Sequence, residues 1–237
     1  MVDEALSTGE VLLPTLTREE LAALGSLESG PWRDADDLSW WAEMTEETRT
    51  AVTVGAIRGL GARGLLDLTQ PAADAAGLVQ LAPEPELGSV LAARVGPAFV
   101  VVGGEPDAGQ LGRFRLYGVA EGGGLRCLVT ELVEDNGLHR FALRSPGAGF
   151  AAFAEWACAP ATQVDAEGRP QPPVRTLEVV RPRAEGPLVD RLLVLVGTQG
   201  VAVSEVGDDD QPGEPSVTTP DQLSRRLEGI LAHEAGG

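Results

Sequence analysis

The stretch LRCLVTELVEDNGLHRFALR, Leu125–Arg144, decides how this chain is read. Leu125–Glu134 reads as one long strand, and His139–Arg144 as the strand that returns beside it. Between them stands Asp135-Asn136-Gly137. Asn-Gly tolerates the positive φ of a type I′ turn, so the segment predicts a tight hairpin. A hairpin of this length needs further strands on its flanks, and the search for them runs outward in both directions.

Upstream, the period of the sequence changes from helical to alternating at Pro97. Phe99–Val102 reads as a strand. Arg113–Val119 alternates, with Phe114 and Leu116 on one face and Arg113, Arg115 and Tyr117 on the other. Gly122-Gly123-Gly124 is the turn into the quoted stretch. Downstream, a helix over Gly147–Cys158 buries Phe150, Phe153 and Ala157. Residues 159–173 read as a linker, with Pro160, Pro170, Pro172 and Pro173 among polar residues. Strands resume at Val174–Arg181, Leu188–Val196 and Val201–Val206, and Asp208–Ser216 is an acidic loop. Thr219 then caps a final helix, with Pro220 at its first position and Leu223, Leu227, Ile230 and Leu231 along one stripe.

Three strands and a helix (113–158) are thus followed by three strands and a helix (174–232). Two such units can pair edge to edge about a pseudo-two-fold, which hides the edge strand each would otherwise expose.

The N-terminal part is helical. Thr17-Arg18-Glu19-Glu20 is a capping box opening a helix that Gly25 closes. A loop rich in Gly, Pro and Asp spans Ser26–Asp37, with Trp40, Trp41 and Met44 beside it. A longer helix runs from Thr45 to Ala62, with Val52, Ala56, Ile57 and Leu60 as its apolar stripe. Leu65–Leu68 and Leu78–Leu81 are short strands, so the order helix–strand–strand is that of a winged helix. Another helix leads through Leu87, Val90, Leu91 and Val95. The predicted fold is α+β: a central antiparallel sheet built from two quasi-repeated strand-strand-strand-helix units, with an N-terminal winged-helix-like region. The 237 residues form one domain, with subregions 15–96, 97–158, 159–173 and 174–232.

Composition excludes several functions. The net charge is −18, with 36 acidic residues against 18 basic ones. A duplex-binding protein needs a cationic face to displace counterions, and the winged-helix part is worse placed still: residues 1–50 hold 12 acids and 3 arginines. All the basic residues are arginine, so no Schiff-base or P-loop lysine exists. Met1–Glu10 is acidic and lacks a leader's basic start and apolar core, and no run reaches the ~20 apolar residues of a membrane helix. A cytoplasmic protein without membrane insertion is expected. Cys127 and Cys158 sit among apolar residues and read as buried thiols, with a single disulfide as the alternative.

The motifs that suggest chemistry lack the context chemistry requires. Gly59-Leu60-Gly61-Ala62-Arg63-Gly64 spells a dinucleotide fingerprint, but at the end of a helix, where the dipole is negative; it reads as a helix terminator. His139 and His233 have no second metal ligand at the usual spacing and read as surface imidazoles. Asp208-Asp209-Asp210 lacks the glycine and closing glutamate of a calcium loop. No GxSxG elbow is present. Trp32, Trp40 and Trp41 read as a small satellite core, or else as a partner-binding hot spot. No catalytic residue, metal or cofactor is expected.

Assembled in order, the chain resembles the EspG family, the cytosolic chaperones of actinobacterial type VII (ESX) secretion. The resemblance lies in Leu16-Thr17-Arg18-Glu19-Glu20-Leu21 before a long loop, in Leu60-Gly61-Ala62-Arg63-Gly64-Leu65-Leu66, in the antiparallel strands over 97–206, and in Val217-Thr218-Thr219-Pro220-Asp221-Gln222-Leu223. It implies a chaperone or adaptor that binds a helical PE/PPE- or WXG-like secretion substrate at an apolar tip and keeps it soluble. The short polar loop Gly103–Gly112 departs from the family, so no contact residue carries over. The alternative is a non-catalytic interaction module such as an immunity factor or scaffold. On either reading, the candidate partner-binding residues are Arg113, Arg115 and Tyr117 on the strand face, and Arg225 and Arg226 on the outer side of the last helix. A monomer or weak homodimer is expected.

Overall fold

The computed structural model describes residues 2–27, 35–73, 79–105, 110–122, 124–134, 136–160, 174–183, 185–197, 200–207 and 209–232. The chain begins with α1 (Val2–Thr8), β1 (Glu10–Leu12), β2 (Leu16–Thr17) and α2 (Arg18–Ala23). It continues with α3 (Ala35–Glu43), α4 (Glu46–Ala62), β3 (Leu66–Ala73), β4 (Val79–Pro83) and α5 (Pro85–Val95). Then come β5 (Val100–Glu105), β6 (Gln110–Glu121), β7 (Gly124–Val133), β8 (Leu138–Arg144) and α6 (Pro146–Cys158). The last elements are β9 (Val174–Arg181), β10 (Leu188–Gly197), β11 (Gly200–Val206), β12 (Ser216–Thr218) and α7 (Pro220–Ala232).

The helix ends follow local chemistry. Thr17 and Glu20 form the capping box: the Glu20 N–H donates to Thr17 Oγ1 at 3.2 Å, and the Thr17 N–H to Glu20 Oε2 at 2.9 Å. Thr219 and Gln222 repeat it at α7, with 3.0 and 3.3 Å bonds. The fingerprint-like glycines end α4. Gly64 takes φ +70°, and its N–H and that of Leu65 turn back to the carbonyls of Gly61 and Leu60. β3 and β4 form the hairpin after α4 that the winged-helix pattern predicts.

The large sheet has ten strands in the order β1-β8-β7-β6-β5-β9-β10-β11-β12, with β2 also paired to β8, and every pairing is antiparallel. The fold is therefore mixed α/β around one antiparallel sheet. Its centre is β5·β9, with Val100 opposite Val180 and Val102 opposite Glu178. Outward from that pair the connections repeat: β5-β6-β7-β8-α6 on one side, β9-β10-β11-β12-α7 on the other.

The repeat differs from expectation by one strand in each half. β5 belongs to the first unit. β12 falls at the end of the segment read as a loop, because three residues after Pro215 carry too little pattern to announce a strand. The hairpin turn also differs. Asn136 is not among the positive-φ residues and Gly137 takes φ +78°, so the turn is not type I′. The Gly137 N–H donates to the Glu134 carbonyl at 3.0 Å, and Asn136 Oδ1 accepts the Leu138 N–H at 3.0 Å. That side-chain bond holds Asn136 outside the left-handed region and leaves Gly137 to make the reversal. α3 starts within the predicted Ser26–Asp37 loop.

Two apolar clusters lie on the two faces of the sheet. α6 and α7 pack on one face, where Phe150, Phe153, Leu223 and Leu227 meet Val101, Leu116, Leu128, Leu177, Leu192 and Val194. Phe114 and Phe153 meet edge to face, with centroids 5.4 Å apart. On the other face α1, α2, α4 and α5 supply Ala5, Leu21, Leu60, Leu87 and Val90 against Val100, Val102, Val129, Phe141 and Leu143. Trp40 and Trp41 are partly buried against this cluster, and Arg18 lies 4.5 Å from the Trp40 ring centre; Trp32 lies outside the described residues. Cys127 and Cys158 are both buried free thiols, one in each cluster.

Candidate interaction surface

The alternation on β6 is as predicted, but its charged face points inward. Arg115 and Tyr117 are 1% and 2% exposed. They sit under α5 in a closed polar cluster centred on Glu131 of β7, which is 0% exposed. Arg94, from the last turn of α5, donates from Nη1 to both Glu131 oxygens at 2.6 Å and from Nε to Ser26 Oγ at 2.8 Å. Arg115 Nη1 donates to Glu131 Oε1 at 3.0 Å, and the Tyr117 hydroxyl donates to Oε2. His139 Nδ1 lies 2.6 Å from Oε1.

Two corrections follow. Arg115 and Tyr117 are not a solvated strand face, because α5 covers that side of the sheet and brings Arg94 as a further partner. His139 is not a surface imidazole; it is 1% exposed. Arg113 lies on β6 with its side chain outside the described residues, and His233 lies outside them altogether.

Electrostatics explain why this cluster stays charged and closed. Burial alone would raise the Glu131 carboxyl. The guanidinium groups of Arg115 and Arg94, with the His139 hydrogen bond, outweigh that and hold it well below its ordinary value. Burial pushes the Tyr117 phenol upward, with Arg94 opposing and the Glu131 charge adding. A carboxylate accepting from two arginines and a tyrosine is saturated and has no pair left for a reactant. The cluster joins α5 to β6, β7 and β8. Among the described residues no group of three or more His, Cys, Asp and Glu side chains could hold a metal ion, and no helix is long and apolar enough to cross a membrane.

The two halves of the sheet are covered unequally. α6 and α7 span one face. On the other, the second apolar cluster takes in β5 to β8 and, from the far half, only Val180. The corresponding face of β9 to β12 carries a cross-strand row of Val174, Leu195, Ala202 and Val217. Val217 is 86% exposed and Leu195 36%; Val189, toward the other end of β10, is 38% exposed. Sequence patterning places Val174, Val189, Leu195 and Ala202 on strands and leaves Val217 outside them; only the strand order shows that no described element lies over them. At the far edge, Arg225 and Arg226 lie on α7. Arg225 is exposed and donates to the Asp221 carbonyl at 3.2 Å, while Arg226 pairs with Glu205 at 2.5 Å. They remain surface groups, far in kind from the enclosed Arg115.

The protein is thus of the mixed α/β class, with a ten-stranded antiparallel sheet and helices on both faces. Among solved structures, the chain is similar to the Mycobacterium tuberculosis type VII secretion system chaperone EspG5, solved in complex with a PE25-PPE41 dimer. The two share 11% identity over 94% of this chain and 95% of that chain, with a TM-score of 0.49. A likeness of that size transfers no residue role. No family model matches the sequence, and no curated protein matches it.

Proposed function

We propose that this protein is a non-catalytic, cytoplasmic chaperone or adaptor for a helical protein partner, of the PE/PPE or WXG type in type VII secretion. The observation that carries the reading is the half-covered sheet. A row of apolar side chains, ending in the 86%-exposed Val217, lies open on a protein of net charge −18. Exposed apolar rows of this kind mark surfaces that another protein covers. The net charge of −18 adds the repulsion that keeps an apolar client from aggregating. The closed Glu131 cluster supports the same reading, since its ionisable groups serve packing. The sequence resemblance to the EspG family names the client class. Arg225 and Arg226, on α7 across the sheet from this row, are a second candidate contact.

Co-expression with helical-hairpin proteins encoded beside it tests this. A 1:1 complex that co-elutes in size-exclusion chromatography is the expected result. If every such candidate elutes separately at micromolar concentration, the chaperone reading is wrong.

A further inference from the structure

α4 has two opposite faces. It packs against α2 and β3, and its buried Leu60 and half-buried Val52, Ala56 and Ile57 lie on one side of the helix. Glu47, Ala51, Val54 and Arg58 lie on the other side, and all four are exposed, Val54 by 44%. Their spacings of four, three and four residues keep them in one row at 3.6 residues per turn. The row lines an open groove, with Thr50 and Gly55 beside it. Neither charge can be met within the helix. The residues three and four positions from Glu47 are Glu43, Met44, Thr50 and Ala51, and those from Arg58 are Val54, Gly55, Gly61 and Ala62. Among the described residues neither Glu47 nor Arg58 makes an ion pair.

We propose that this row joins two copies of the chain in an antiparallel α4–α4 contact about a two-fold axis. The spacing is that of a helix-pairing seam, whose inner positions alternate three and four residues apart. The charges fix the direction. Antiparallel packing sets Glu47 against Arg58 of the second copy and Ala51 against Val54 of the second copy, because both pairs share one midpoint, between Val52 and Thr53. The pattern of acid, two apolar residues and base is thus complementary to itself, as a two-fold contact requires. A parallel pair would set acid against acid and base against base. Gly55 beside the seam leaves room for a second backbone, since a Cβ built there meets nothing within 4 Å. The row is short, roughly 16 Å from end to end, so the contact falls below the ~1,200 Å² of stable complexes. The charge of −18 on each copy opposes it further, and the dimer is weak. The inference uses neither β9 to β12 nor α7, so it and the chaperone reading can fail separately.

Sedimentation velocity of the full chain, from about 5 μM to about 1 mM, tests it. The mass is expected to rise toward two chains with a dissociation constant on the order of 100 μM. Glu47→Arg and Arg58→Glu should each weaken this at least ~10-fold, since each sets like charges opposite one another at both ends of the seam. An equimolar mixture of the two single variants should associate again, because every charge of one then faces its opposite on the other. The double variant Glu47→Arg, Arg58→Glu should associate with itself as the wild type does. Both positions are exposed, and unchanged thermal unfolding confirms that the variants fold. Three results would overturn the proposal. The first is a wild-type chain that stays monomeric over the whole range, which leaves the row to a helix of another protein. The second is association unmoved by either single variant, which places the contact between copies elsewhere. The third is a mixture that associates no better than its components.

Discussion

Arg175 and Arg181 leave the same face of β9, six residues apart, and each ends on carbonyl groups at the C-terminus of a different helix. Arg175 Nη1 donates to the carbonyls of Ala157 and Ala159, at 2.9 and 2.7 Å, where α6 ends. Arg181 Nη1 donates to Ile230 at 3.0 Å, in the last turn of α7. A helix end leaves its last carbonyls without intrahelical partners and carries partial negative charge, so a cation there is favourable twice over. One strand thus anchors both helices of the face it supports.

Arg175 is 4% exposed and also lies 5.0 Å from the Trp156 ring centre. Arg175→Met should cost about 3 kcal/mol, because it deletes two bonds from a charged donor and strands buried carbonyls. Urea unfolding with an unchanged slope measures it. A loss under about 1 kcal/mol would show that those carbonyls find other partners.

Glu131 is the group whose removal hurts most. Glu131→Ala leaves two buried guanidinium groups facing no anion and should cost about 3–5 kcal/mol. The triple replacement Arg94→Met, Arg115→Met, Glu131→Leu removes the charges together and should recover most of that loss. If the triple variant is no better than the single one, the cluster does something beyond satisfying its own charges.

Acid should expose the same group by its pH dependence. The folded-state pKa of Glu131 lies below the ordinary 4.5. Its contribution is therefore complete above that value and is lost as pH falls toward and through the folded-state pKa. The stability gap between wild type and Glu131→Gln should be constant from neutrality down to about pH 5 and should narrow as the pH falls from there to about pH 3. A gap that stays constant between about pH 5 and pH 3 would contradict the assignment.

Gly103 faces the ring of Trp156 so closely that an added Cβ would meet Cζ3 at 2.3 Å. Gly103→Val should destabilise by about 1–3 kcal/mol through overpacking. Combining it with Trp156→Leu should give less than the sum of the two single losses, since the second change makes room for the first.

Arg225 and Arg226 provide the complementary test. Reversing both to glutamate removes surface interactions only, so the unfolding midpoint should hardly move. Binding to a co-purifying helical partner, read by size exclusion or calorimetry, should weaken. Unchanged affinity would place the contact elsewhere on the molecule.

The hairpin at Leu125–Arg144, both capping boxes and α6 were legible because each is written in neighbouring residues. The burial of Arg115 was not. An Arg-x-Arg-x-Tyr alternation reads as a wet face, since unpaired charge is rarely buried. Its partner Glu131, and Arg94, which shares that carboxylate, lie 16 and 21 residues away in sequence, on other elements, and only the register of β6 on β7 and the seat of α5 bring them together. The Asn136-Gly137 pair announced a turn correctly but not its type, because one Asn136 side-chain bond decides between two geometries that the letters allow equally. The open apolar row on β9 to β12 is likewise a property of strand order, which local patterning does not encode.

The pairing of β5 with β9 has a consequence for biosynthesis. A nascent chain that has emerged as far as α6 can close β5 against β6, but the other side of β5, with Val100, Val101 and Val102, waits for a strand about 70 residues further on. Until the ribosome delivers Val174–Arg181, that edge is a sticky template for any extended segment nearby. Chains stalled or cleaved in this interval should be the ones a cell has to dispose of.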